Sequence, residues 1–298
     1  MSTTLVIIPT YNEVENLPLI VGRVLDATPE VDVLVVDDNS PDGTGEKADE
    51  LANAHPEVHV LHRGGKEGLL AAYRAGFRWG LEREYEVICQ MDADGSHAPE
   101  ELELLLDEIA AGADLVIGSR YVEGGEVKNW PQRRLLLSKF GNRYIALALG
   151  EDVLDMTAGY RAMRREVLEG IDLDALSSKG YIFQAELAYR AINAGFDVRE
   201  VPVTFEDRKL GKSKLDASFA VASLTEVTKW GVADKASKIA EMAKQMSGLA
   251  RYEYDHSGLP KLGQRINEVP EAVVGMVSEF SKLAKHEMQN SRLFGKRR

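Results

Sequence analysis

Five short aliphatic runs recur early in the chain: TLVIIP (4–9), VDVLVVD (31–37), VHVLH (58–62), EVICQMD (86–92) and ADLVIGS (113–119). Strands this apolar have no polar side to offer water, so both faces must be covered. The stretches between them carry helical periodicity, which gives β-α-β-α order and a mostly parallel sheet with right-handed crossover helices on each side. The fold class expected is therefore α/β. In such sheets ligands collect beyond the carboxyl ends of the strands. Here those ends carry PTYNE, DDNSPDGT, DADGSH and SRYVEGG.

After this half come WPQRRLLLSKFGNRYIALALG (130–150), DMTAGYRA (155–162), a helical pattern from about Tyr181 to Asn193 and a strand-like VREVPVTF (198–205). A long helical pattern runs from Leu215 to about Gly248. A last one, over 270–289, has Pro270 placed to begin a helix and an apolar stripe of Val273, Val277, Phe280, Leu283, Ala284 and Met288. The division expected is an α/β main domain over residues 1–230 and a helical C-terminal extension over 231–298.

With 44% hydrophobic and 28% charged residues, the composition can supply a packed core and is not that of a disordered chain. The N-terminus reads as a first strand and not as a signal peptide, and no stretch approaches the ~18 apolar residues of a spanning helix. The one cysteine, Cys89, lies inside a strand-like run, so no intrachain disulfide forms and a reducing cytoplasm is the expected compartment. Net charge is −12, yet residues 230–298 hold 12 basic and 8 acidic side chains. The acidic body argues against a nucleic-acid partner. The basic tail, ending LFGKRR, either suits an anionic membrane surface or is simply solvated.

In MDADGSHAPEE the two carboxylates Asp92 and Asp94 stand two residues apart at a strand end. On an extended segment they project to the same side. At a separation of about 6 Å and an effective dielectric near 20, their repulsion is roughly 3 kcal/mol. A divalent cation relieves it, and carboxylates with no nearby thiolate suit Mg2+ or Mn2+ completed by substrate phosphates. The competing reading is that one of the acids only caps the helix begun by Pro99. The adjacent acids of VVDDNSPDGT admit a second alternative, a phospho-receiver module that is not an enzyme. In such a module, however, the acidic pair would sit on the first strand.

Taken together, IIPTYNEVEN, VVDDNSPDGT, MDADGSHAPEE and GSRYVEGG resemble the family 2 glycosyltransferases with the GT-A fold. WPQRRLLLSKFGNRY, DMTAGYRA, GYIFQAEL and VREVPVTFEDRKLGKSKL then extend the resemblance to the polyprenol monophosphomannose synthases, the dolichyl-phosphate mannose synthase group, over residues 4–230. The QxxRW motif of processive polysaccharide synthases is absent. The resemblance implies transfer of mannose from GDP-mannose to a polyprenyl monophosphate; a UDP-glucose-dependent glucosyltransferase is the alternative within the same scaffold. It implies that Pro9, Tyr11, Glu13, Val36 and Asp38 hold the guanosine. By the same resemblance Asp92, Ala93, Asp94 and Ser96 would surround the metal and the diphosphate, with Asp92, Asp94 and Ser96 on the metal side. Arg208 and Lys214 would close over the leaving group, and Arg120, Arg133, Arg134 and Ser138 would receive the acceptor phosphate. Asp94, Arg120, Arg133, Ser138 and Arg208 would form the catalytic set.

For each arginine the bland alternative is a surface salt bridge, expected for at least one of Arg133 and Arg134. A lipid monophosphate is largely dianionic at neutral pH, so it needs no general base, and one displacement would invert the sugar. His97 is then assigned to a helix start or a hydrogen bond. The lipid acceptor places the protein peripherally on the inner face of the cell membrane, held by interfacial helices at Leu215–Gly248 and 270–289 or by a membrane-protein partner.

Overall fold

The computed structural model describes residues 3–178, 180–207 and 227–232. The chain divides into two compact units, Met1–Leu224 and Thr225–Arg298; in the second, residues 227–232 are described and are helical. Arg208, Lys214 and the stripe over 270–289 lie outside the described residues, and of the pattern from Leu215 only residues 227–232, which are helical, are described.

All five aliphatic runs are strands. The first half alternates β1 (Thr4–Thr10), α1 (Leu17–Ala27), β2 (Asp32–Asp37), α2 (Thr44–Ala54), β3 (Val58–His62), α3 (Leu69–Glu82), β4 (Val87–Gln90), α4 (Leu102–Ala110) and β5 (Leu115–Ser119). There follow β6 (Glu126–Lys128), α5 (Gln132–Leu149), β7 (Arg161–Arg164), α6 (Arg165–Gly170), α7 (Ile182–Asn193), β8 (Val198–Pro202) and β9 (Thr204–Glu206). The main sheet has seven strands in the order β3-β2-β1-β4-β7-β5-β8. Every pairing in it is parallel except those of β7, which is antiparallel to both β4 and β5.

One face of the sheet, with Val6, Ile8, Val33, Val35 and Cys89, packs on Leu17, Ile20 and Val24 of α1 and on Leu102, Leu105 and Ile109 of α4. The other face lies under α3 at unusually short range. A Cβ on Gly76 would come 2.8 Å from Ile7, and one on Gly80 would come 2.9 Å from Ile88. Two glycines one turn apart thus set the helix directly on β1 and β4. Tyr73 of α3 and Phe183 of α7 are fully buried beside each other, their ring centroids 5.8 Å apart.

Two features depart from the pattern read in the sequence. VREVPVTF is two strands: β8 pairs along β5 as far as Pro202, the Val203 N–H makes one more bond to the Ser119 carbonyl, and the chain then crosses to pair with β6. DMTAGYRA runs at its end into a strand, β7, whose RAMR is too short and too polar to announce itself.

Candidate active site

The carboxyl ends of β1 and β2 form the first part of the rim. Asn12 and Asn39, both in the left-handed region (φ 60° and 56°), turn the chain there, a conformation that asparagine tolerates better than most residues. Asp37 accepts hydrogen bonds from Thr10 Oγ1 (3.2 Å), Ser40 N (3.1 Å) and Ser40 Oγ (2.6 Å). Asp38 is ion-paired with Arg63, which also holds Glu67 at 2.6 Å. Burial raises the Asp38 carboxyl above its usual range, and Arg63 opposes that shift. Both acids are therefore engaged by protein donors, unlike the open acidic pair that a phospho-receiver needs. Tyr11 lies under the Lys66 ammonium, 3.7 Å from its ring centroid. Glu13 accepts from Asn16 Nδ2 at 2.8 Å, while its own N–H donates to Thr44. Pro9 pairs in register with Val36, whose side chain is buried towards Gly76 of α3.

At the end of β4 the chain turns at Asp92. Asp94 Oδ1 accepts two hydrogen bonds from Ser96, one from its N–H at 3.0 Å and one from its hydroxyl. Ser96 and Ala93 are buried, whereas Asp92 and Asp94 are half-buried and Gly95 is exposed. The Ser96 hydroxyl, expected on the metal side, is turned to its neighbour's carboxylate. Tyr73 donates to Asp92 Oδ1 at 3.5 Å. Desolvation holds that phenol well above its ordinary value, so it stays a donor. The Asp92 N–H donates to His97 Nδ1 at 3.1 Å, which fixes the ring proton on Nε2. Burial lowers His97 to about 4, and the neutral ring stacks on Tyr160 with centroids 5.0 Å apart. His97 is a brace for the turn and not a base.

Among the described residues no group of three His, Cys, Asp or Glu side chains is placed to hold a metal by itself. Two hard carboxylates are a donor set for a divalent ion that completes its shell from phosphate oxygens, so Asp92 and Asp94 fit Mg2+ or Mn2+ with a diphosphate.

The third part of the rim follows β5. Arg120 makes a two-pronged contact with Asp155, at 2.7 Å and 2.6 Å, and a further bond to Thr157 Oγ1 at 3.1 Å. Asp155 is fully buried. Burial alone would lower the guanidinium, but Asp155 more than reverses this and holds it above its usual value. Arg134 pairs with Asp207 at 2.9 Å and lies 3.8 Å over Trp130. Arg133 is exposed and makes no ion pair with a described residue. Ser138 Oγ accepts from the Tyr121 hydroxyl at 2.6 Å. Asn142 of α5 is hydrogen-bonded to Thr157 in both directions, at 3.0 Å and 3.2 Å, tying this helix to the loop before β7. Phe205 joins the two regions, with its ring 5.3 Å from Trp130 and 5.6 Å from His97.

Some site features were not read in the sequence. Asp155 and Thr157 lie in DMTAGYRA, but nothing local says that they meet Arg120. The outer face of α5 exposes Leu136, Leu137 (64%), Phe140 (73%), Tyr144 and Leu147, flanked by exposed Arg133, Lys139 and Arg143. Its apolar residues occupy both faces of the helix, which hides the stripe. Among the described residues no helix is long and apolar enough to cross a membrane.

With the rim described, its relatives can be placed. The chain is 64% identical over 230 residues to polyprenol monophosphomannose synthase of Mycolicibacterium smegmatis, covering 77% of this chain and 87% of that one. It is 55% identical over 229 residues to undecaprenyl-phosphate mannosyltransferase of Micrococcus luteus, covering 77% and 94%. It is 36% identical over 288 residues to dolichol-phosphate mannosyltransferase of Pyrococcus furiosus, covering 92% and 78%. Among solved structures, glucosyl-3-phosphoglycerate synthase from Mycobacterium tuberculosis, in complex with Mn2+, UDP and phosphoglyceric acid, superposes with a TM-score of 0.57. That match has 17% identity and covers 76% of this chain and 78% of that one, a likeness of fold alone. The model of the family described as glycosyl transferase family 2 matches residues 5–172. The mostly parallel sheet and the ordered motifs agree with that match, and the chain belongs to glycosyl transferase family 2.

Proposed function

We propose that the protein transfers mannose from GDP-mannose to a polyprenyl monophosphate, with inversion, while resting on the inner face of the cell membrane. The observation that carries this reading is one rim with two kinds of chemistry. It has a braced pair of carboxylates after β4 and, one aromatic ring away at Phe205, the start of a helix whose outer face is apolar and basic. The first suits a sugar nucleotide's diphosphate, and the second suits a phosphate on a lipid. The mannosyltransferase relatives with polyprenol, undecaprenyl phosphate or dolichol phosphate in their names support the pairing of sugar and acceptor.

In this reading Pro9, Tyr11, Glu13, Val36 and Asp38 line the guanosine side, and Ala93 and Ser96 shape the turn that presents Asp92 and Asp94. A bound Mg2+ or Mn2+ would neutralise charge on the departing diphosphate. Arg208 and Lys214 are assigned to the same leaving group by their motif. On the acceptor side, Arg120 and Arg134 are already ion-paired within the protein, so the exposed Arg133 is the cation first available to a phosphate, with Ser138 five residues further along α5. The acceptor's phosphate oxygen attacks directly; neutral His97 has no proton to remove. Domain roles follow as a catalytic body over 1–230 and an extension over 231–298 that assists membrane contact, alone or with a membrane-protein partner.

The test is to incubate the full chain with radiolabelled GDP-mannose or UDP-glucose, polyprenyl phosphate and Mn2+, and then to extract lipid. Label is expected in the lipid from GDP-mannose. Label entering from UDP-glucose alone would replace the donor assignment.

A further inference from the structure

We propose that Gln184, presented past Gly159, is the residue that reads the hydroxyls of the donor's sugar. The assignment deepens the function proposed above and rests on it.

Gln184 sits in the first turn of α7, only 1% exposed, and its side-chain oxygen has no hydrogen-bond partner. Leaving a buried amide oxygen unpaired costs about 1–3 kcal/mol, so such a group calls for an explanation. Gln184 is also held firmly in place. Arg161, fully buried, donates to the main-chain oxygens of Gln184 (2.8 Å), Ala158 (2.8 Å) and Met156 (2.9 Å). One guanidinium thereby fixes the start of α7 against the loop that ends at Gly159.

Gly159 shows where the side chain is directed. A Cβ built there would lie 3.6 Å from the His97 ring, 3.7 Å from Gln184 Nε2 and 3.9 Å from Asp92 Oδ1. Three polar side chains, two from the turn after β4 and one from α7, converge on that point. The distances are ordinary contact distances and Gly159 does not have a positive φ, so neither crowding by protein nor backbone conformation demands glycine. Close approach of a ligand remains as the reason.

The chemistry at the point is that of a sugar. Asp92 can only accept, while a primary amide both donates and accepts, and together they suit neighbouring hydroxyls on a hexose ring. Asp92 belongs to the turn proposed to hold the diphosphate, so a sugar joined to that diphosphate must lie beside it. Mannose and glucose differ in the orientation of one hydroxyl. A buried amide satisfied by one epimer and left unpaired by the other discriminates between them more strongly than an apolar wall can.

The test compares binding of GDP-mannose with binding of GDP, each with Mn2+, to the full-length wild type and to Gln184→Leu and Gly159→Ala. Leucine nearly preserves the buried volume, and the alanine methyl has room in the protein alone. Both variants are expected to lose tenfold or more in affinity for GDP-mannose and to bind GDP within about twofold of wild type. In turnover, Gln184→Leu should narrow the preference for GDP-mannose over GDP-glucose. Unchanged GDP-mannose binding, or an equal loss for GDP and GDP-mannose, overturns the proposal. Should the wild type take UDP-glucose in place of GDP-mannose, the donor assignment fails separately, and the same comparison of UDP-glucose with UDP decides Gln184.

Discussion

One carboxylate oxygen of Asp94 is held by two hydrogen bonds from Ser96, so its other oxygen is oriented in advance for the ion proposed above. Replacing Asp94 with Ala should reduce mannosyl transfer by about 10²–10³-fold or more, with a melting temperature close to wild type. Ser96→Ala should cost about 10–100-fold in metal affinity, seen as a raised Mn2+ requirement in the lipid-extraction assay, because it removes only the orienting hydroxyl. Asp155→Ala is a different kind of change. It leaves the buried Arg120 guanidinium uncompensated and should destabilise the fold by about 3–5 kcal/mol in urea titration. The acidic pair after β4 was legible in the sequence because alternation along a strand fixes its geometry locally. The Arg120–Asp155 pair was not, since the two residues are 35 apart and meet only after β7 has entered the sheet. Of the two adjacent arginines, at least one of which was expected in a salt bridge, the structure selects Arg134, paired with Asp207.

At the scale of elements, α5 was the least legible in the sequence. Inward it buries Asn142, Ile145, Ala146 and Leu149, and outward it shows Leu136, Leu137, Phe140 and Leu147. A helix apolar on two sides has no clean stripe, so the membrane-facing segments were sought instead at Leu215–Gly248 and 270–289, of which only residues 227–232 are described. An exposed apolar face with basic flanks favours an anionic bilayer. Phe140→Glu and Leu137→Glu should each lower co-sedimentation with vesicles containing anionic lipid by about tenfold, while GDP-mannose binding stays at the wild-type level. Retained sedimentation in the double variant would place membrane contact elsewhere. The parallel strands and α7 were readable for the opposite reason: β1, β2 and β5 carry unbroken aliphatic runs, and α7 is flanked by glycines at 180 and 195.

For the whole molecule, Cys89 reports on integrity. It lies fully buried in β4 at the centre of the sheet, and desolvation pushes its thiol up to about 12. The folded state therefore resists a deprotonation that the unfolded chain allows near pH 8.5–9. Its contribution is fully present below that value and is lost as pH rises towards 12. Relative to Cys89→Ala, the wild type should lose about 1.5 kcal/mol of unfolding free energy between pH 8.5 and 10, and a thiol reagent should label it only at the rate of opening. The antiparallel strand β7 has a further consequence, in time. It lies between β4 and β5, yet it follows both in the chain. During synthesis the two halves of the rim emerge with a gap between them, and loop closure over more than 40 residues must precede its filling. A ribosome-bound fragment ending before residue 161 would carry both the Asp92–Asp94 turn and Arg120, but without the strand that brings them together.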